Sequence, residues 1–332
     1  MPEEHVARVA ELGMGALAIT EHGNTTSHVK LEQAAAKHGI KPIFGLEAYT
    51  APPNSMRKWH MTILAADAVG YRNLTQLTTR SWQEGFYRWP TVHGDMLVEH
   101  NEGLIVTSGC ADSHLACTLL GGKGIERGDE RAAVELMLHY KRIFGDRYYL
   151  EVQRFPELDR CKALNEKYEE WSRKYKIPLV GTCDVHYPYG NQNELQQALH
   201  AANRGHAVGD SDWNYDVLLT YPDSDKAMAA DLRETGLSKL GAAQAIDSAA
   251  EIAGRCNVTL PKMKQVEYPI TDEDFKPWNN AKPELAGLHH TQPTAAKKRS
   301  SGTGATRAGS SAASGTSRRR SADAIRRKSS AS

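Results

Sequence analysis

As far as residue 183, short apolar runs rich in β-branched residues alternate with longer stretches whose apolar positions recur every three to four places. ALAIT (16–20), KPIFGLEAYT (41–50), HMTILAA (60–66), GLIVTSG (103–109), RYYLEVQ (147–153) and IPLVGTC (177–183) read as strands. SHVKLEQAAAKHG, GYRNLTQLTTRSWQEG, ERAAVELMLHYKRIFG and ELDRCKALNEKYEEWSRKY lie between them and have the period of amphipathic helices. The first of these stops at Gly39, the residue type a left-handed C-cap favours. Such alternation predicts parallel strands joined by crossover helices, in an α/β barrel or an open doubly wound sheet. After about residue 190 the pattern is helical, clearest in NELQQALHAANRG and LGAAQAIDSAAEIAGRC.

Several function classes drop out. No GxGxxG or GxxxxGK[ST] follows the first strand, which removes the usual dinucleotide and P-loop readings. The five cysteines are odd in number and lack a CxxC pair, so neither a disulfide framework nor a zinc knuckle is indicated, and a cytoplasmic setting is expected. No apolar run approaches the ~20 residues of a membrane span, and MPEEHVARVAEL is no signal peptide.

The net charge of +1 conceals an uneven distribution. Ten of the 41 basic residues but one of the 40 acidic residues lie beyond position 284, leaving residues 1–284 at −8. An acidic body attracts nucleic acid poorly, so nucleotide chemistry there needs metal ions or a partner to offset repulsion. Beyond Trp278 there is no aromatic residue, and the Ser/Ala/Arg-rich end has almost nothing to bury. Residues 285–332 are expected to form a disordered basic tail.

Parallel α/β folds collect their chemistry where strands end. Glu21 and His22 follow the first run, Glu47 follows PIFGL within the second, Cys110 follows the fourth, Glu151 lies in the fifth, and Asp184 and His186 follow the sixth. In an extended chain Asp184 and His186 share a face. His60 is the exception: it opens its run, and the Pro-Pro loop before it has to deliver it. Each residue has a plain reading of its own. His22 suits the turn in EHGN, Cys110 is a small hydrophobe, and His60 beside Trp59 says little. Glu47 is harder to set aside, because an unpaired carboxylate in an apolar strand is costly. Five strands each presenting a His, carboxylate or thiol at a comparable place suggest a site for first-row divalent ions such as Zn²⁺, Mn²⁺ or Fe. Clustered ions of that kind support phosphoester hydrolysis.

ALAITEHGN, HGIKPIFGLEAYTAP, HMTILAADAVGYRNLTQLTTRSWQEGFY, HNEGLIVTSGC, YYLEVQRF and LVGTCDVHYP together resemble the polymerase and histidinol phosphatase (PHP) domain of bacterial DNA polymerase III alpha subunits. The resemblance covers about residues 1–270, including EIAGRCNVTLPK, and GYRNL with EGFY points to the polymerase branch of the family. It implies a distorted (β/α)7 barrel and a trinuclear metal cluster that hydrolyses phosphoesters or supports 3'-5' exonuclease proofreading. The family's ligand positions fall on His22, Glu47, His60, Cys110, Asp184 and His186, while Glu21 and Glu151 are not carried over. Water activated by metal, rather than a side chain, is the implied nucleophile.

Family members open with a strand bearing His-x-His and then an Asp, upstream of the helix that here reads PEEHVARVAELG. An amino-terminally truncated barrel is therefore expected, with three of the family's nine ligands missing and fewer than three ions held. The implied organisation is an incomplete PHP-like domain over 1–270, a linker over 271–284 and the tail. Nothing after residue 278 resembles a polymerase palm, and Asp210 with Asp212 and Asp223 with Asp225 sit in loop-like sequence, so a fragment of a polymerase gene is expected. DNA 3' ends are the implied substrate and other polymerase or replisome subunits the implied partners. The alternative is a non-catalytic structural or interaction module with a decayed metal site.

Overall fold

In the computed structural model, which describes residues 1–207 and 217–262, all six expected strands form, with ends within two residues of their sequence limits. The chain runs α1 (Pro2–Glu11), β1 (Ala16–His22), α2 (His28–His38), β2 (Lys41–Thr50), β3 (Trp59–Ala65), α3 (Ala68–Gln83), β4 (Thr91–Val92) and α4 (Gly94–Glu99). It continues through β5 (Leu104–Thr107), α5 (His114–Leu120), α6 (Glu130–Phe144), β6 (Tyr148–Gln153), α7 (Asp159–Tyr175) and β7 (Leu179–Thr182). Three helices follow, α8 (Asn193–Arg204), α9 (Asp225–Glu234) and α10 (Lys239–Arg255). Gly39 caps α2 in the left-handed conformation, φ 68°, its amide donating to the Ala35 carbonyl. The linker, the basic tail, the end of the 1–270 region and the pair Asp210 and Asp212 lie outside the described residues.

The strands form one curled, half-barrel sheet in the order β1-β2-β3-β5-β6-β7, with the two-residue β4 added beside the end of β2. Their directions differ from the all-parallel expectation. β1 with β2, β5 with β6 and β6 with β7 are parallel, but β3 is antiparallel to both β2 and β5. The reason is the connection: only residues 51–58 join β2 to β3, too few for the dozen or so residues of a helical crossover, so β3 turns back. β1 and β7 end the strand order, and among the described residues each pairs on one side alone.

Strand alternation gives the sheet two different faces. The convex face presents Leu46, Ile63, Val106, Leu150 and Leu179 to Leu74 and Leu77 of α3, Met137 and Phe144 of α6, and Tyr168 and Trp171 of α7. Each fully buried side chain of this kind contributes roughly 1.5–3 kcal/mol. Phe44 and Leu17 pack instead against Val6, Val9 and Leu31 of α1 and α2. On the concave face Ile43, Leu64, Ile105, Tyr149 and Val180 meet Ile252 of α10 and Cys256 just after it. Two residues along each of four strands that face turns polar, at Thr62, Thr107, Glu151 and Thr182. Among the described residues no helix is long and apolar enough to cross a membrane.

Candidate metal centre

The polar end of the concave face is where the candidate residues meet. His22 closes β1 opposite Glu47, which stands opposite Thr62, with Tyr49 opposite His60. Because β3 runs backwards, its first residues lie at the end where β1 and β2 finish, and His60 reaches Glu47 although it opens its strand. The His60 Nδ1 to Glu47 Oε1 distance is 2.8 Å, and His22 Nδ1 lies 3.6 Å from Glu47 Oε2. One donor atom from each of His22, Glu47 and His60 fits within a set whose members are all within 4.8 Å of one another.

Cys110 follows β5 through Gly109, whose φ of 82° and close approach to β3 leave no room for a side chain: a Cβ there would sit 2.3 Å from the His60 carbonyl oxygen. That turn lays the Cys110 Sγ 3.7 Å from His60 Nδ1. Asp184 and His186 differ from the extended pair expected of them. β7 stops at Thr182, and Asp184 takes a left-handed φ of 46°, a strained value for a residue other than glycine. The turn brings His186 Nδ1 to 2.8 Å from the Asp184 carbonyl oxygen and 3.7 Å from its carboxylate, while the His186 amide donates to the Leu219 carbonyl. All but His60 of the six candidates line one cleft of about 720 Å³, which is walled by β1 and β7 and floored by α10. His60 joins them through Glu47 and Cys110. Glu21 is engaged in its own loop, accepting from the Thr26 hydroxyl and the Ser27 amide.

Glu151 is buried behind this group. Its carboxylate accepts hydrogen bonds from the hydroxyls of Thr62 on β3, Thr107 on β5 and Thr182 on β7, so three other strands converge on one side chain. Burial pushes its pKa up to about 7, aided by the charges of Asp184 and Glu47 and opposed by the Thr107 and Thr182 hydroxyls. Burial also raises the Cys110 thiol well above its usual range, and the nearby Asp184 and Glu47 carboxylates push the same way. Asp184 is raised by burial, which outweighs His186. For Glu47, burial pushes upward, but the His60 hydrogen bond and the charges of His22, His60 and His186 prevail and hold the carboxyl below its ordinary value. Burial lowers His22, against the attraction of Glu47. Neutral imidazole is the form that ligates metal.

These residues fit a divalent cation. Acids and a thiol are crowded together with imidazoles, and mixed N, O and S donors suit a first-row ion. His22, Glu47 and His60 would hold one ion with Cys110 beside it, and Asp184 and His186 offer a second group of donors. The threonines around Glu151 were not singled out from the sequence. Their signal is an apolar residue followed two places later by Thr or Glu at a strand end, as in Ile105-x-Thr107, Tyr149-x-Glu151 and Val180-x-Thr182.

A curled α/β sheet thus gathers histidines and carboxylates at one end of its concave face. Residues 1–155 match the family model described as PHP domain, and the chain carries a PHP domain. It is 32% identical over 266 residues to DNA polymerase III subunit alpha of Thermus aquaticus, covering 77% of this chain and 21% of that one. The subunits of the same description from Deinococcus radiodurans and Treponema pallidum are 31% and 35% identical, over 77% and 59% of this chain and 19% and 17% of theirs. The chain thus spans about a fifth of the length of the curated relatives it matches. Among solved structures, an amidohydrolase from Chromobacterium violaceum aligns over 72% of this chain and 93% of its own at 14% identity, with a TM-score of 0.35.

Proposed function

We propose that the PHP domain of this chain is a metal-dependent phosphoesterase module acting on nucleic-acid 3' ends, as part of a replicative DNA polymerase. The convergence of His22, Glu47 and His60 at neighbouring strand ends is the observation that supports it. A divalent ion held there would polarise a phosphate oxygen and lower the pKa of water. The chain's own residues supply the rest. Glu47 spans both imidazoles and orients them, Cys110 and the Asp184–His186 pair complete the donor wall, and all of these but His60 line one cleft. No side-chain nucleophile is needed.

The test is release of nucleotides from 3'-labelled single-stranded DNA by purified protein with Mn²⁺, Zn²⁺ or Fe²⁺, alongside metal analysis. Turnover that needs metal and is lost in Glu47→Gln supports the reading. Less than one tightly bound ion per chain, or turnover untouched by Glu47→Gln, overturns it.

The one-sided pairing of β1 and β7 among the described residues favours a second reading, in which the half-barrel is a non-catalytic structural or interaction module of the polymerase with a decayed metal site. Under that reading no nucleotide is released, and metal leaves the melting temperature unchanged because a decayed site adds no mass-action stabilisation.

A further inference from the structure

An aromatic rim stands beside the candidate centre and has no role in holding metal. Trp82, Phe86, Tyr87 and Trp89 are 51%, 52%, 46% and 37% exposed, an unusual concentration of large apolar rings in contact with water. They are nonetheless held in place. Trp82 donates its indole N–H to the Gly23 carbonyl at 2.8 Å and stacks on Phe86, with ring centroids 5.4 Å apart and planes 16° from parallel. Tyr87 and Trp89 bridge across Arg88, which takes a left-handed φ of 66° at the tip of the turn.

The rim is continuous with the centre. Gly23 follows His22, Trp89 meets Tyr49 at 5.9 Å, and Tyr49 lies parallel to the His22 ring at 5.6 Å. Its charge contrasts with the acidic body. Lys58 Nζ sits 3.7 Å from the centre of the Trp89 ring, Arg88 projects from the turn, and the one acid within residues 82–90, Glu84, is held by Arg80.

We infer that Trp82, Phe86, Tyr87 and Trp89 form a stacking platform for the bases of single-stranded nucleic acid, with Lys58 and Arg88 serving its phosphates and its 3' end delivered past Tyr49 to the centre. The inference rests on the proposed phosphoesterase reading and deepens it. Rings of this kind bind any base through its π-face, and cations among them follow the backbone. A duplex, whose bases already stack on one another, gains nothing from exposed rings.

The experiment measures binding of a fluorescein-labelled single-stranded DNA of about a dozen nucleotides to the full chain by anisotropy, in EDTA so that hydrolysis does not intervene. Trp82→Ala and Trp89→Ala are each expected to weaken binding at least about fivefold, Trp89→Phe much less, and Lys58→Gln to flatten the salt dependence. Unchanged melting temperatures show that the exposed substitutions leave the fold intact. No binding by the wild type, equal binding by the two alanine variants, or equally tight binding of a blunt duplex overturns the platform and leaves the rim to a protein partner. Binding that depends on the tryptophans without any metal-dependent turnover refutes the phosphoesterase reading alone. Turnover with binding indifferent to the tryptophans refutes the platform alone.

Discussion

The concave face of this sheet has two ends built by the same strands. At one end Ile43, Leu64, Ile105, Tyr149 and Val180 close on Ile252 and Cys256. At the other, two residues away on four of those strands, stand Thr62, Thr107, Glu151 and Thr182, and beyond them the metal-type donors. The difference is one of partners rather than backbone. A helix seals the first end and removes water, so apolar side chains suffice. At the second, Glu151, Asp184 and the Cys110 thiol sit among hydroxyls and imidazoles with little basic charge; burial, reinforced by neighbouring carboxylates, raises all three pKa values, while the histidines hold Glu47 down. The first end holds the molecule together, and the second stores the charge imbalance that a cation would relieve.

The largest effect expected to separate the two ends comes from Glu47→Ala. It should weaken divalent-metal binding at least about 100-fold in calorimetry, since changes to groups merely supporting a ligand already cost 10–100-fold. Metal affinity surviving that change would erase the distinction. The mirror experiment is Ile252→Ala, which should cost about 3 kcal/mol in urea unfolding and leave metal affinity within about twofold. A matching fall in affinity would mean that the apolar end also positions the donors.

Glu151 sharpens the contrast through pH. Its folded pKa, near 7, exceeds its unfolded value, so the native state binds the extra proton and its contribution to stability is present at low pH and lost as pH rises through 7. The metal-free protein should lose about 2 kcal/mol from this group between pH 5 and 7, and Glu151→Gln should remove that slope. The smallest effect is Thr182→Val, which withdraws one hydroxyl from the Glu151 carboxylate. It should cost about 1 kcal/mol above pH 7 and less at pH 5, where the carboxyl is protonated. An equal cost at both pH values would show that the hydroxyl does not serve the ionised form.

Much of this could be read from the chain alone. The short apolar, β-branched runs marked the strands because both faces of the sheet are largely covered, and His22, Glu47 and Cys110 stood out because they are polar or reactive residues at or just beyond the apolar part of those runs. His60 was harder. It opens its run, and only the reversed direction of β3 carries it to Glu47. That reversal leaves a trace in the order of residues: the other strands read apolar then polar, Ile105-x-Thr107 or Val180-x-Thr182, whereas β3 reads polar then apolar, Thr62-x-Leu64. β4 escaped notice because two residues after a proline carry no period. The left-handed Asp184 was hidden because aspartate does not announce a positive φ as glycine does. Glu151 was visible as an acid in a strand, but its three threonines come from separate strands and are united only by the curl of the sheet. The aromatic rim was masked for a similar reason, since EGFYRWP does not tell which rings face water.

The most direct measurement is anomalous diffraction from crystals grown with Zn²⁺ or Mn²⁺. The account predicts a peak about 2.0–2.3 Å from donor atoms of His22, Glu47 and His60. A crystal containing the metal with no peak there, or with its strongest peak among other residues, would contradict it.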